Sequence, residues 1–170
     1  MLKNKFCYSF IVTLIFISLY PAVSKAKNVS KPPWALEIIS ADNKELLKIS
    51  VILKNISQNP QKIWKESNSW GYSILYFEII DEKSGRNYIR KKPINWRKKI
   101  PIFWIIDAGQ NLIYDISFMN EDWELFSSFL KLKNFEIQAI MDIPEDSQAK
   151  RYDVWTGIIK SNVLKLEIIK

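Results

Sequence analysis

The chain contains no histidine, and its only cysteine, Cys7, lies close to the N-terminus. Without an imidazole base, neither a Ser-His-Asp nor a Cys-His nucleophile can be assembled. Zinc, copper and non-haem iron sites depend on the same two residue types. The chain has only four scattered glycines, so it has no glycine-rich phosphate-binding loop. The sequence therefore predicts a protein that is not an enzyme and that uses no cofactor or metal.

Residues 1–26 have the three-part layout of a secretory signal peptide. Lys3 and Lys5 precede an uncharged run over 6–20, and small residues stand at Ser24 and Ala26, where a signal peptidase reads the chain. A membrane-spanning helix needs about 20 apolar residues, which is longer than this run. We expect cleavage after Ala26, release into the periplasm or the medium, and no transmembrane span in the released chain. An uncleaved membrane anchor is the alternative.

The expected product runs from residue 27 to 170 and has the size of one domain with one core. Residues 27–33 form a polar lead-in that ends in two prolines, and the domain should span 34–170. Removal of Cys7 with the leader leaves no thiol, so stability must come from packing without disulfides.

Apolar and polar residues alternate along much of the chain, which is typical of half-buried β-strands. Predicted strands include 34–39, 47–54, 73–81, 101–106, 112–118, 135–143, 154–158 and 163–169. Two stretches differ: 121–131 has the apolar spacing of a short helix capped by Asn120, and 144–150 is a polar loop. Gly157, inside an apolar run, is interpreted as a bulge. The pattern predicts an all-β protein, a single antiparallel β-sandwich of seven to eight strands.

Three places resemble the immunoglobulin-like β-sandwich domains of small exported bacterial proteins. A strand ends in the turn 53–57 with its Asn-x-Ser, Ala108-Gly109 precedes an alternating strand, and Trp155-Thr156-Gly157 is followed by Ser161. Such domains usually have Pro-Gly at the second place, and Phe135 stands where a tyrosine corner would have its hydroxyl. The resemblance implies an Ig-like fold and binding or structural work more often than catalysis.

The strongest functional signal is the stretch 90–99, which we call the basic loop. Removing Lys3, Lys5 and Lys25 with the leader lowers the formal net charge from +7 to +4, and without the basic loop the remainder is −2. The loop has no acid, and its candidate binding residues are Arg90, Lys91, Lys92, Trp96, Arg97, Lys98 and Lys99. Such a loop fits an anionic envelope component, for example lipid head groups, lipopolysaccharide phosphates or acidic glycans, or an unknown protein. Nucleic acid is not expected for an exported chain. A solvated loop that guards a sheet edge explains the same residues.

Two other functions stay open. The protein could inhibit extracellular or envelope hydrolases by plugging their active sites with a loop. It could also be a hydrolase that uses two carboxylates. The acids that could serve are Glu121, Asp122 and Glu124 in one cluster, and Asp142, Glu145 and Asp146 in another. The second cluster also offers the oxygen ligands that calcium prefers, but it lacks the glycine and the spaced acids of an EF-hand calcium loop.

The tryptophans divide by their sequence neighbours. Trp104 and Trp155 lie inside apolar runs and are predicted to be core residues. Trp64, Trp70, Trp96 and Trp123 lie near turns and are the candidates for a surface.

The signal peptide can be tested directly. Intact-mass analysis of the exported protein should give a chain that starts at Lys27 or within a few residues of it. A full-length product retained in the inner membrane would contradict cleavage and favour the anchor.

Overall fold

The computed structural model of the protein describes residues 31–40, 48–81, 85–96, 100–118, 122–124 and 134–167. Strands dominate this part of the chain, and one short helix lies among them. The strands are β1 (Trp34–Ser40), β2 (Lys48–Asn55), β3 (Gln61–Trp64), β4 (Leu75–Asp81), β5 (Gly85–Ile89), β6 (Phe103–Ile106), β7 (Asn111–Ser117), β8 (Asn134–Ile143) and β9 (Gly157–Glu167). The helix is α1 (Ser147–Tyr152).

The strands form three antiparallel sheets. Their orders are β1-β2-β7, β3-β6 and β5-β4-β8-β9. The predicted all-β antiparallel, sandwich-like fold is therefore confirmed. Two details differ: β3 was not predicted, and the last two predicted strands are the single strand β9.

Alternation along the strands directs one set of side chains into a common core, as in any half-buried sheet. In β2 the buried apolar residues are Ile49, Val51 and Leu53, and their neighbours Ser50 and Ile52 are only half-buried. Side chains from all three sheets meet in one apolar cluster. Its most deeply buried members include Trp34, Ile38, Leu53, Ile63, Trp64, Phe77, Ile79, Ile89, Ile137 and Met141.

A bulge interrupts β9 opposite Ala139. Gln138 pairs with Val163 and Ile140 pairs with Lys160, so Ser161 and Asn162 together oppose one residue of β8. The Ser161 hydroxyl accepts a hydrogen bond from the Ala139 N–H at 2.9 Å, which replaces the lost ladder bond. Gly157 pairs regularly with Ile143, so the bulge predicted at Gly157 lies four residues further on.

The bulge turns Asn162 towards β1. Its side chain accepts from the Ile38 N–H at 2.9 Å and donates to the Ile38 carbonyl at 3.1 Å. A primary amide used in this way takes the place of a backbone partner for one residue of an edge strand. Asn162 thereby links the edge of the three-stranded sheet to the edge of the four-stranded sheet.

Asn55, at the end of β2, is completely buried and uses all of its polar atoms. Its Nδ2 donates to the carbonyls of Asn59 and Ile106 at 2.8 and 2.9 Å. Its Oδ1 accepts from the Ser57 N–H at 3.0 Å and the Ser57 hydroxyl at 2.8 Å. Its backbone exchanges hydrogen bonds with Gly109 and Gln110. The side chain of Asn55 therefore fixes the turn after β2 and the end of β6, and its backbone fixes the turn before β7.

The helix assignments need correction. The predicted polar loop 144–150 contains the start of α1, whose first turn is capped by the Asp146 carboxylate accepting from the Ala149 N–H at 2.7 Å. Of the predicted helix 121–131 only 122–124 lie among the described residues. There Trp123 forms an isolated antiparallel bridge with Lys91, so these three residues are not helical.

The tryptophan predictions were largely reversed. Trp104 and Trp155 are half-buried at the margin of the core, whereas Trp64 and Trp123 are buried at 2% and 6% exposure. Trp64 ends the strand that was not predicted. The Trp155 ring instead lies against Gly157, where a Cβ would come within 2.8 Å of the ring.

Replacing Asn55 by alanine should strongly destabilise the domain. The change removes the partner of the buried Ile106 carbonyl, at about 1–3 kcal/mol, and of the partly buried Ser57 N–H, while the Asn59 carbonyl keeps the Ser57 hydroxyl. We expect the free energy of unfolding in urea to fall by about 2 kcal/mol or more. Ser50→Ala is the control, since it removes only an exposed 2.7 Å bond to Asp115; its cost should stay below about 1 kcal/mol. Equal costs for the two variants would contradict the role of Asn55.

Candidate binding segment

The basic loop leaves the β4-β5 hairpin directly after a buried residue. Ile89, the last residue of β5, is fully buried and pairs with Phe77 in the centre of the four-stranded sheet. Residues 90–96 and 100–102 of the connection to β6 are described, whereas Arg97, Lys98 and Lys99 lie outside the described residues. The start of the loop is therefore anchored to the core.

Backbone pairing with residues 122–124 extends this anchor. The Lys92 N–H donates to the Asp122 carbonyl at 2.7 Å, and the Glu124 N–H donates to the Arg90 carbonyl at 2.8 Å. Between them, the Trp123 ring packs in edge-to-face contact with Phe77 and Phe118, at centroid distances of 5.4 and 5.5 Å. The first three residues of the loop thus form a short two-stranded unit above the core.

Arg90 is exposed, but its guanidinium has a defined place. It lies 3.9 Å from the centroid of the Tyr76 ring and 5.9 Å from that of Tyr88. This cation–π contact holds the charge over the outer face of the four-stranded sheet. Arg90 therefore covers a tyrosine as well as carrying charge.

Lys91 is half-buried between two aromatic rings. Its Nζ lies 4.7 Å from the Tyr72 centroid and 5.8 Å from the Trp123 centroid. Burial lowers the pKa of Lys91, because the charged ammonium loses water, and the nearby Glu66 and Asp122 oppose that shift. This geometry gives Lys91 a packing role beneath the loop.

Lys92 and Trp96 mark the outward part of the loop. Lys92 is exposed, as are Pro93, Asn95 and Ile94, the last with 47% of its surface accessible. The Trp96 ring is half-buried and meets Tyr72 edge-to-face at 5.7 Å. Of the seven predicted binding residues, the structure brings Lys91 and Trp96 together on Tyr72, places Arg90 on Tyr76 and leaves Lys92 in solvent.

Tyr72 can serve as this support because residues 65–72 form a tightly bonded turn. Buried Asn68 accepts from the N–H groups of Trp70 and Gly71 at 2.9 Å each and donates to the Ile102 carbonyl at 2.5 Å. A Cβ on Gly71 would lie 2.0 Å from the Lys65 carbonyl oxygen, so only glycine fits there. The turn, the basic loop and the start of β6 therefore hold one another in place.

Sequence reasoning missed the isoleucines that follow the basic loop. Ile100, Ile102 and Ile105 are 59%, 40% and 58% exposed, although the uncharged run 100–106 reads as a buried strand. It also missed Glu78, a buried carboxylate of β4. Arg86 Nη1 and the Tyr88 hydroxyl lie 3.3 and 3.1 Å from Glu78 Oε1. The hydrogen bond that the Tyr88 hydroxyl donates to Glu78 raises the pKa of Tyr88. No sequence signal identified either feature, because both depend on which strands become neighbours.

Of the acids considered for carboxylate chemistry, two have side-chain partners, three bond neighbours through their backbone, and Glu121 lies outside the described residues. Asp146 caps α1, and Glu145 pairs with Lys150 at 2.8 Å. Asp122 bonds the basic loop through its carbonyl. Within the part of the chain that the structure describes, no three histidine, cysteine or acidic residues are grouped so that they could hold a metal ion.

Comparison of the chain with protein-family models, with curated proteins and with solved structures gives no match. Among the described residues, no helix combines the length and the apolar character that crossing a membrane requires.

Two substitutions at Lys91 separate packing from charge. Lys91→Met keeps an apolar stem between Tyr72 and Trp123 and removes the buried charge, so the free energy of unfolding should stay within about 0.5 kcal/mol of wild type. Lys91→Ser exposes both rings and should cost about 1–2 kcal/mol in urea denaturation. If methionine costs as much as serine, the ammonium itself, through its cation–π contacts, provides the stability, and the packing role is wrong.

Proposed function

We propose that the protein is an exported, non-catalytic binding module that engages an anionic surface of the cell envelope through the basic loop. The observation that carries the proposal is the support beneath the loop. Arg90 and Lys91 lie on aromatic rings, Lys92 is bonded through its backbone to Asp122, and Trp96 rests on Tyr72. A loop whose base is already fixed loses less freedom on binding than a free loop does.

The charge distribution supports the same function. Residues 90–99 contain six cations and no acid, whereas the rest of the chain after the leader has a formal charge of −2. A local concentration of one sign of charge attracts an oppositely charged surface and orients the molecule towards it. Absence of histidine, and of cysteine after the leader, supports a role without catalysis.

The structure also shows which charges a test should remove. Arg90 and Lys91 cover aromatic rings, so replacing them would lower stability as well as charge. A loss of binding in such a variant could not be assigned to the charge alone. Lys92 is exposed, and Arg97, Lys98 and Lys99 complete the cluster in the sequence. Replacing these four residues by glutamine lowers the formal charge of the released chain from +4 to 0.

This four-residue variant should lose binding to anionic vesicles at low salt. Wild type should sediment with vesicles that contain phosphatidylglycerol, and the bound fraction should fall as salt shortens the Debye length to about 8 Å and below. Salt screens the attraction between exposed charges that lie farther apart than the Debye length. A loss of vesicle binding with added salt therefore identifies electrostatic attraction.

A matched control removes four exposed lysines elsewhere. Lys31, Lys54, Lys150 and Lys165 to glutamine gives the same net charge, and this variant should retain most of the binding. If both four-residue variants lose binding equally, net charge rather than the basic loop is responsible. If neither loses binding, the loop is a solvated guard on a sheet edge.

A further inference from the structure

An exposed apolar stretch follows the basic loop without a break. Residues 100–106 contain no charged or strongly polar side chain, and we call them the apolar segment. Its side chains at Ile100, Ile102 and Ile105 are each at least 40% exposed. Three large apolar side chains exposed within six residues differ from the single exposed ones that are normal on a protein surface.

The apolar segment is held rigidly. It enters β6, where Trp104 pairs with Ile63 of β3. The Ile102 carbonyl accepts from the Lys65 N–H at 3.0 Å and from Asn68. The ammonium of Lys65 lies 3.6 Å from the Trp104 centroid. The two bonds to the Ile102 carbonyl and the pairing of β6 thus fix the backbone from Ile102 onward, with Ile102 and Ile105 exposed.

Together, residues 90–106 combine six cations, two tryptophans and five isoleucines with no acid. This composition is typical of segments that lie in a membrane interface, where cations meet phosphates and apolar side chains enter the acyl boundary. Protein interfaces, by contrast, are depleted in lysine. Glu66 and Asp122 lie near Lys91, and the Glu66 carboxylate accepts a hydrogen bond from Trp104 Nε1 at 3.4 Å.

We propose that the surface engaged by the basic loop is an anionic lipid bilayer, and that Ile100, Ile102 and Ile105 insert into it. The inference rests on the proposed function and adds the ligand and the mode of binding. The cations bring the protein to the lipid phosphates, and insertion of the isoleucines keeps it there. Electrostatic attraction alone would be lost at high salt, whereas insertion leaves a part of the binding that salt does not remove.

The first experiment measures partition of the chain from residue 27 onward into vesicles of phosphatidylcholine with and without phosphatidylglycerol. The insertion variant is Ile100→Ser, Ile102→Ser, Ile105→Ser. Its control is Ile113→Ser, Ile158→Ser, because these two isoleucines are 56% and 60% exposed but lie outside the segment. We expect the insertion variant to bind the anionic vesicles about tenfold more weakly or worse. The control should bind like wild type, and circular dichroism checks that all variants fold.

The second experiment uses the absence of cysteine after the leader. Ile100→Cys and Ile158→Cys are each labelled with an environment-sensitive fluorophore. On addition of anionic vesicles the label at position 100 should brighten and be quenched by nitroxides on the lipid chains, whereas the label at 158 should not respond. This readout stays valid even if the serine variant is poorly folded.

The outcomes separate this inference from the proposed function. If the insertion variant binds like wild type and the label at 100 stays in water, insertion is wrong while binding through charge stands. If wild type binds an acidic glycan but no vesicle, the lipid is wrong and the binding loop stands. If wild type binds neither vesicles nor a polyanion, both the inference and the proposed function are wrong.

Discussion

The buried amide of Asn55 is the constraint on which the position of β6 depends. It joins the turn after β2 to the end of β6 and, through its backbone, to the turn before β7. Because β6 contains most of the apolar segment, the position of that segment follows from a residue far from it in sequence. A buried amide that satisfies every donor and acceptor adds specificity, since any shift of β6 would leave polar groups unpaired.

Two further polar residues repeat this logic at other places. Asn68 fixes the turn 65–72 to Ile102, and that turn in turn supports Tyr72 beneath Lys91 and Trp96. Asn162, freed by the bulge in β9, joins two sheet edges. Two serines noted in the sequence have local roles. Ser57, the last residue of the Asn-x-Ser in the turn after β2, donates a hydrogen bond to the Asn55 side chain. Ser161 accepts from the Ala139 N–H and so replaces the ladder bond that the bulge removes.

Much of the fold could be predicted from period-two alternation, because β1, β2, β7 and β8 are long and bury one face. The strand β3 was missed because four residues are too few to show a period. The gap predicted within β9 reflects a bulge, which shifts the alternation without ending the strand. Trp64 and Trp123 could not be assigned to the core from their neighbours, because tertiary contacts to Phe77, Phe118 and Trp70 decide their burial.

For the candidate site, the sequence identified the cations but not their surroundings. The rings that contact Lys91 and Arg90 come from two separate parts of the chain, Tyr72 and Tyr76 from one and Trp123 from the other. The exposure of Ile100, Ile102 and Ile105 was likewise hidden, because an apolar run usually indicates burial. That departure from the usual pattern is the reason for proposing a membrane surface, since local rules tend to fail at functional places.

Hydrogen–deuterium exchange with and without anionic vesicles tests the central claim most directly, because it reports on every peptide of the unaltered protein. The account predicts that vesicles slow exchange in peptides covering 92–105 and leave α1 and the bulge of β9 unchanged. Protection centred on α1 with none over 92–105, or no protection anywhere under conditions where the protein sediments with the vesicles, would contradict it.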